Sequence, residues 1–404
     1  MRLKVCPDDF YVEERIALPL APGPFTLYRI RKVGVTTLAV QAGLAQGLGL
    51  SRRDVVFPAQ KDRQAVAVQF ASVRGEGPAH LRGEGWEAER VGRAPRPLSP
   101  HDLQGNAFTL TLRHLGQDEV PRLRSALERR PREGLPNYFD SQRFGSCVPG
   151  EGCIGKALLL GDGEKALRLF LATPLPGEGR RVRAFKTLAR QHWGQWERLL
   201  PHAPRGPLRS VLTYLKDHPT AFRQAVDRIA PALLSLFLSA YQAWLWNCAV
   251  GRWLRALLEP TGAVVEGLTI AGCALPLYEA WEPDLRERLR KMSLPLPHHK
   301  MSFPDHQAER SMAETLAQEG LALKDLKARH LTHAYLGRGE RPLLLFPADL
   351  RVGEAQPDDR FPGRWKVRIA FALPPGSYAT LVVKGAGILA GVPLEGEPAV
   401  TAES

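Results

Sequence analysis

The feature that most limits how this chain can fold is a break in style. From Lys156 to about Leu257 the pattern is almost wholly helical and holds Trp193, Trp196, Trp244, Trp246 and Trp253, five of the eight tryptophans. Strand patterns stand on both sides of it. Before it come Arg2–Glu14, alternating like an edge strand, then Phe25–Arg31, Val55–Phe57, Ala65–Val73 and Ala107–Leu115. Helices are expected at Thr37–Leu48, capped by Thr36 or Thr37 with Leu38, Ala42, Leu44 and Ala45 as its apolar face, and from about Pro121 to Arg130. After it come short strands near Val264–Leu277, then Pro342–Phe346 and Trp365–Leu373. Strand-rich flanks that cannot each close a core predict one discontinuous α+β domain, residues 1–150 plus 300–385. A helix-rich domain, 155–300, is then inserted in it, and 386–404 reads as a flexible tail.

Charge narrows the partners. Fifty-five Lys and Arg against 42 Asp and Glu leave +13, a surplus that attracts phosphate polyanions and places nucleic acid first. The five cysteines, Cys6, Cys147, Cys153, Cys248 and Cys273, include no CxxC pair and are odd in number. Neither a zinc ribbon nor a closed disulfide framework is expected, and a reducing compartment fits. The start, MRLKVCPDDFYVEE, has no apolar leader core, and no uninterrupted apolar run nears the ~18 residues of a membrane helix. A cytoplasmic protein without a membrane partner is the expectation.

Several motifs promise more than they deliver. GEGCIGKA, Gly150–Ala157, nearly matches a phosphate-cradling loop, but Ala157 offers no hydroxyl to magnesium and no strand leads in, so no nucleotide cofactor is expected. His298, His299 and His306, or His330 and His333, lack a thiol or carboxylate at metal-ligand spacing, and no metal is expected. LERRPREG, Leu127–Gly134, reads as a solvated helix end.

Two local patterns carry chemistry. In FPAQKDRQAVAVQF an aspartate, Asp62, sits between Lys61 and Arg63 in a turn between strands. The chain also holds only three asparagines, Asn106, Asn137 and Asn247. Asn106 stands near Phe108, and Asn137 near Tyr138 and Phe139, as expected where an amide reads a base edge and a ring stacks on its face. Asn247, in an apolar helix, reads as an inter-domain hydrogen-bonding residue.

Six segments in order, LKVCPDDFYVEE, AQKDRQAVAVQ, GNAF, NYFDSQRFG, SAYQAWLWN and FALPPGSYAT, resemble the TruD family of tRNA pseudouridine synthases. The resemblance spans nearly the whole chain. It implies a pseudouridine-synthase core on a mixed, mainly antiparallel sheet with a family-specific inserted domain of helix-rich α/β type. It also implies isomerisation of uridine 13 of tRNA to pseudouridine without metal or organic cofactor, by a protein expected to act as a monomer. The family's catalytic aspartate falls on Asp62. Its substrate-binding positions fall on Lys4, Phe10, Lys61, Asn106, Phe108, Asn137, Gln142, Arg143 and Phe144. Ala59, Ala67, Lys384 and Gly385 depart from the family pattern. The alternative is a non-catalytic RNA-binding or RNA-chaperone protein on the same fold, which would have no need of Asp62.

Overall fold

Alternation decides the first unit. Along β1 (Phe10–Ile16) the buried residues are Phe10, Val12 and Glu14, and along β2 (Phe25–Lys32) the series Tyr28, Ile30, Lys32 faces α1 (Thr37–Gly47). The structure, a computed structural model, describes residues 1–395. The sheet continues with β3 (Val55–Val56), β4 (Val66–Arg74), β5 (His80–Gly83), β6 (Trp86–Ala94) and β7 (Leu103–Leu115), the last followed by α2 (Glu119–Glu133). After a long excursion the chain returns with β8 (Ala348–Val352), β9 (Gln356–Pro357), β10 (Trp365–Leu373) and α3 (Ala379–Leu389). Strand order is β8-β10-β7-β1-β4-β2-β6-β5, with β3 on β4 and β9 on β10. Only β1 and β4 run parallel among these pairs. The architecture is α+β on a mixed, mainly antiparallel sheet.

The first segment differs from its reading. Pro7–Asp9 form a 3-10 turn and Lys4 has φ +59°, so the strand starts only at Phe10 and lies inside the sheet, not at its edge. The cap of α1 is Thr36, which accepts from Ala39 N at 3.1 Å. Its Leu38 is exposed, and Val40 packs inward with Leu44 and Ala45. The charge run ending α2 is not wholly solvated. Arg130 is 1% exposed, donating to Ala126 O and Gly134 O. Beyond Gly385 the chain stays helical to Leu389, Val392 is buried, and the Glu395 carboxylate accepts from Arg2 Nε at 2.8 Å. The rest of the expected tail, residues 396–404, lies outside the described residues.

The chain leaves this unit after Leu135 and re-enters it at Leu345, and Pro136–Leu344 form a second unit. These crossings fall inside the segments 1–150 and 300–385 read as core. Two contacts explain why. Asn247 exchanges hydrogen bonds with the backbone of Phe139, donating to its O and accepting from its N, both at 2.8 Å, and Arg341 donates to Asn137 O at 2.6 Å. Residues 137–139 and 341 are therefore held within the second unit, and Asn247 bonds inside that unit, not between domains.

The second unit is built on the helix Pro231–Leu258. This helix is long and apolar enough to cross a membrane, yet 72% of its most apolar window is buried within the protein. Gly155 explains GEGCIGKA. A Cβ there would stand 2.3 Å from Phe237 O, so the glycine lets helix Ile154–Leu160 approach the long helix, and Lys156 pairs with Glu319 at 3.0 Å. The cysteine reading is corrected. Hairpin register sets Cys153 opposite Cys147 and the two are joined, as are Cys248 on the long helix and Cys273 on the neighbouring hairpin, leaving Cys6 free.

Candidate active site

Asp62 lies in the turn that precedes β4, with its side chain about one-third exposed. Lys4 Nζ donates to Asp62 Oδ2 at 2.5 Å, and Asp62 Oδ1 accepts from Gln64 N at 3.0 Å. Burial pushes the Asp62 carboxyl up, but the hydrogen bonds from Lys4 and Gln64 and the charges of Lys4 and Lys32 outweigh it. The group is held below its usual range and stays ionised. Lys4 Nζ also sits 4.4 Å from the centre of the Phe10 ring, which meets Phe108 edge-on with centroids 6.1 Å apart. Phe108 in turn packs on Phe371, its cross-strand neighbour.

Beneath the carboxylate the turn is fixed from three sides. Lys61 points inward, donating to Asn106 Oδ1 at 2.6 Å and lying 3.0 Å from Glu14 Oε1. Glu14 and Asn106 are cross-strand partners on β1 and β7. Burial pushes the Glu14 carboxyl up, opposed by the Lys61 charge and by the Phe70 N–H that donates to it. Thr37 at the start of α1 accepts from Lys61 N at 3.0 Å. Lys32, fully buried at the end of β2, donates to Asp62 O at 2.6 Å and to Val35 O at 3.0 Å. Arg63 alone turns outward, its Nε on Gly34 O. The two cations flanking Asp62 thus neutralise neither of its oxygens. Gly105 is required by close approach, since a Cβ there would stand 2.4 Å from Leu373 O.

This arrangement is an ionised carboxylate beside an aromatic floor and an amide, on a basic protein. Comparison with known proteins decides the family: the profile described as tRNA pseudouridine synthase D (TruD) matches residues 1–385. The chain belongs to the TruD family. Its relatives include the Probable tRNA pseudouridine synthase D of Methanopyrus kandleri, 32% identical over 90% of this chain and 85% of that one. The tRNA pseudouridine synthase D of Geobacter sulfurreducens is 31% identical over 94% and 92%. The crystal structure of the TruD protein from Methanosarcina mazei has the same fold, with TM-score 0.70 at 23% identity, covering 95% of this chain and 93% of that one.

Of the TruD positions marked in the sequence, Lys4, Phe10, Lys61, Asp62, Asn106 and Phe108 come together in the first unit. Asn137, Gln142, Arg143 and Phe144 belong to the second. There Asn137 is buried, its Nδ2 on Pro342 O at 3.0 Å and its Oδ1 accepting from Arg341 at 2.9 Å, and Phe144 is buried too. Gln142 is exposed, and the Arg143 guanidinium lies 5.9 Å from the Phe139 ring centre. Sequence reasoning missed Glu14, Lys32 and Thr37. A signal existed for the first two, because each is a charged residue on the apolar face of an alternating strand. Gly385, a departure from the family pattern, abuts Leu135, where a Cβ would stand 2.9 Å from Cδ2.

Proposed function

We propose that this protein isomerises uridine 13 of tRNA to pseudouridine, with Asp62 as the carboxylate that acts on the ribose. The observation that carries the reading is the Lys4–Asp62 pair at 2.5 Å, which keeps a partly open carboxylate ionised next to an aromatic floor. The reaction breaks the bond between N1 and the sugar, turns the detached uracil, and joins C5 to the same sugar carbon. N1 gains a proton and C5 loses one, so the change is redox-neutral and needs no group beyond the chain and the RNA. An ionised carboxylate serves whether it attacks the sugar or takes a ribose proton.

The neighbours divide the remaining work. The base leaves the helix stack and is received over Phe108 and Phe10. Asn106 spends its Oδ1 on Lys61, and its Nδ2, which has no partner among the described residues, donates to a uracil oxygen. Lys32 and Thr37 hold the turn, so that Asp62 meets the sugar without rearrangement. On the second unit, Asn137, Gln142, Arg143 and Phe144 serve substrate binding, Asn137 and Phe144 from the interior. The same reading puts the protein in the cytoplasm with its tRNA.

The test is to incubate the purified protein with unmodified tRNA transcripts and map pseudouridine by mass spectrometry. Conversion at position 13 is expected. Conversion elsewhere would overturn the assignment of position, and an unchanged map with tight tRNA binding would replace catalysis by the RNA-binding alternative.

A further inference from the structure

The second unit carries a cationic surface that the chemistry at Asp62 does not use. It is formed by two loops, one at Pro297–Lys300 and one running from Lys327 to Arg338. Gln242, buried on the long helix, donates from one Nε2 to Pro297 O and Gly337 O, both at 2.8 Å. Leu296 N donates to Gly339 O at 2.8 Å and closes the same junction. Leu326, Ala328, Ala334 and Leu336 are buried as pegs in the core, so the residues between them are turned outward. Lys327 and Arg329 emerge on either side of Ala328, which is held at φ +52°. A non-glycine residue kept in that region costs energy and is a reason to look for a function. Tyr335 stands 76% exposed on the same loop.

The charges converge. Lys300, Arg338, Lys327 and Arg329 all act on the His299 ring, which lies 6.4 Å from that of His298. Among the described residues none of these four cations makes an ion pair. Asp325, two residues before Lys327, accepts from Ala322 N at 2.8 Å and caps its own turn, and Glu340, two residues after Arg338, begins the strand Glu340–Pro342 and forms no ion pair with any of the four. Partial burial first, and then these four cations at His299 and Arg338 with His299 at His298, push both histidines below their ordinary range, favouring neutral rings that can still donate hydrogen bonds. An ordinary solvated surface interleaves acids with bases. Four like charges held together by a buried amide instead gain from a polyanion that relieves their repulsion.

We propose that this surface, Lys300, Lys327, Arg329 and Arg338 with Tyr335, binds the phosphate backbone of the tRNA and stacks one unpaired base. Phosphate contacts set position and affinity, and an exposed ring adds a sequence-tolerant contact. The proposal rests on RNA being the substrate, as proposed above.

The test compares wild type with the triple variant Lys327→Ala, Arg329→Ala, Arg338→Ala by tRNA affinity across a salt series, with thermal melting as a check on folding. Each lost phosphate contact lowers the slope of log affinity against log salt by ~0.7 to 0.9, so the variant's slope should be smaller by roughly 2 to 3. Its pseudouridine yield at saturating tRNA should equal that of wild type, since the altered residues belong to the second unit and the groups around Asp62 to the first. An unchanged slope overturns the proposal even if pseudouridine forms. A reduced slope sustains it even if wild type forms none, in which case the catalytic reading fails separately. Tyr335→Ala should weaken binding several-fold with the slope unchanged, and wild-type affinity would remove the stacking contact.

Discussion

At the scale of single residues, Asp62 and Phe108 do different jobs and fail differently. The folded Asp62 carboxyl is held below its usual range by Lys4 and Gln64 despite its burial. The stability tied to it is therefore present above the unfolded value near 3.9 and is lost as pH falls through the lower folded value. Chemistry that depends on the ionised form keeps its rate through mildly acid pH. Phe108 is 8% exposed and wedged between Phe10 and Phe371, so truncation to alanine would cost about 3 to 5 kcal/mol and confound fold with function. Phe108→Leu keeps most of the volume and removes the ring face. It is expected to lower single-turnover yield about tenfold while tRNA affinity changes by less than threefold, because leucine still fills the site and phosphate contacts supply most of the affinity. Unaltered yield would exclude Phe108 from holding the base.

At the scale of elements, the turn before β4 depends on a buried ammonium. Lys32 at the end of β2 has its pKa brought down to about 8, chiefly by burial, with Asp62 opposing and Lys61 assisting. The unfolded value is near 10.4, so between about 8 and 10.4 the unfolded chain binds the extra proton, and this group makes stability rise with pH. In the same window the charge-assisted hydrogen bond to Asp62 O is lost. The isomerisation rate should therefore fall above about pH 8 without unfolding, and Lys32→Met should be slow and flat from about pH 7 to 9. A Met variant that keeps the wild-type fall would assign it to another group. In the second unit, Gly155→Ala places a Cβ against Phe237 O and should destabilise that unit by roughly 1 to 3 kcal/mol, read by denaturant melting, with no effect on nucleotide binding. These two elements also show what the sequence could disclose. Strand-forming apolar runs marked β2 and β4, β4 being buried along almost its whole length, and the six ordered segments pointed to Asp62, Asn106 and Phe108. The partnership of Lys32 with the Asp62 carbonyl joins residues 30 positions apart through a buried contact, which no local pattern encodes.

At the scale of the molecule, a helical run between two strand-rich flanks stands out in the sequence because helix and strand differ in period, and in the structure the two units divide after Leu135 and before Leu345. Asn137–Arg341 and Asn247–Phe139 bind both ends of the excursion to the second unit through single hydrogen-bonding groups, which no change of pattern marks. The Cys147–Cys153 and Cys248–Cys273 pairs were hidden for a similar reason, since an odd count says nothing of which cysteines the fold brings together. The charge surplus foretold a polyanion but not the loops that gather it around His299. All of this organisation serves the reaction only if one carboxylate performs it. The most direct measurement is single-turnover pseudouridine formation by Asp62→Asn, with tRNA affinity and thermal melting taken on the same protein. Asparagine keeps the shape and loses the charge, and the missing group acts in the transition state, not in backbone binding. The account predicts no detectable pseudouridine, affinity within a few-fold of wild type, and a folded protein. Wild-type yield from folded Asp62→Asn would contradict it.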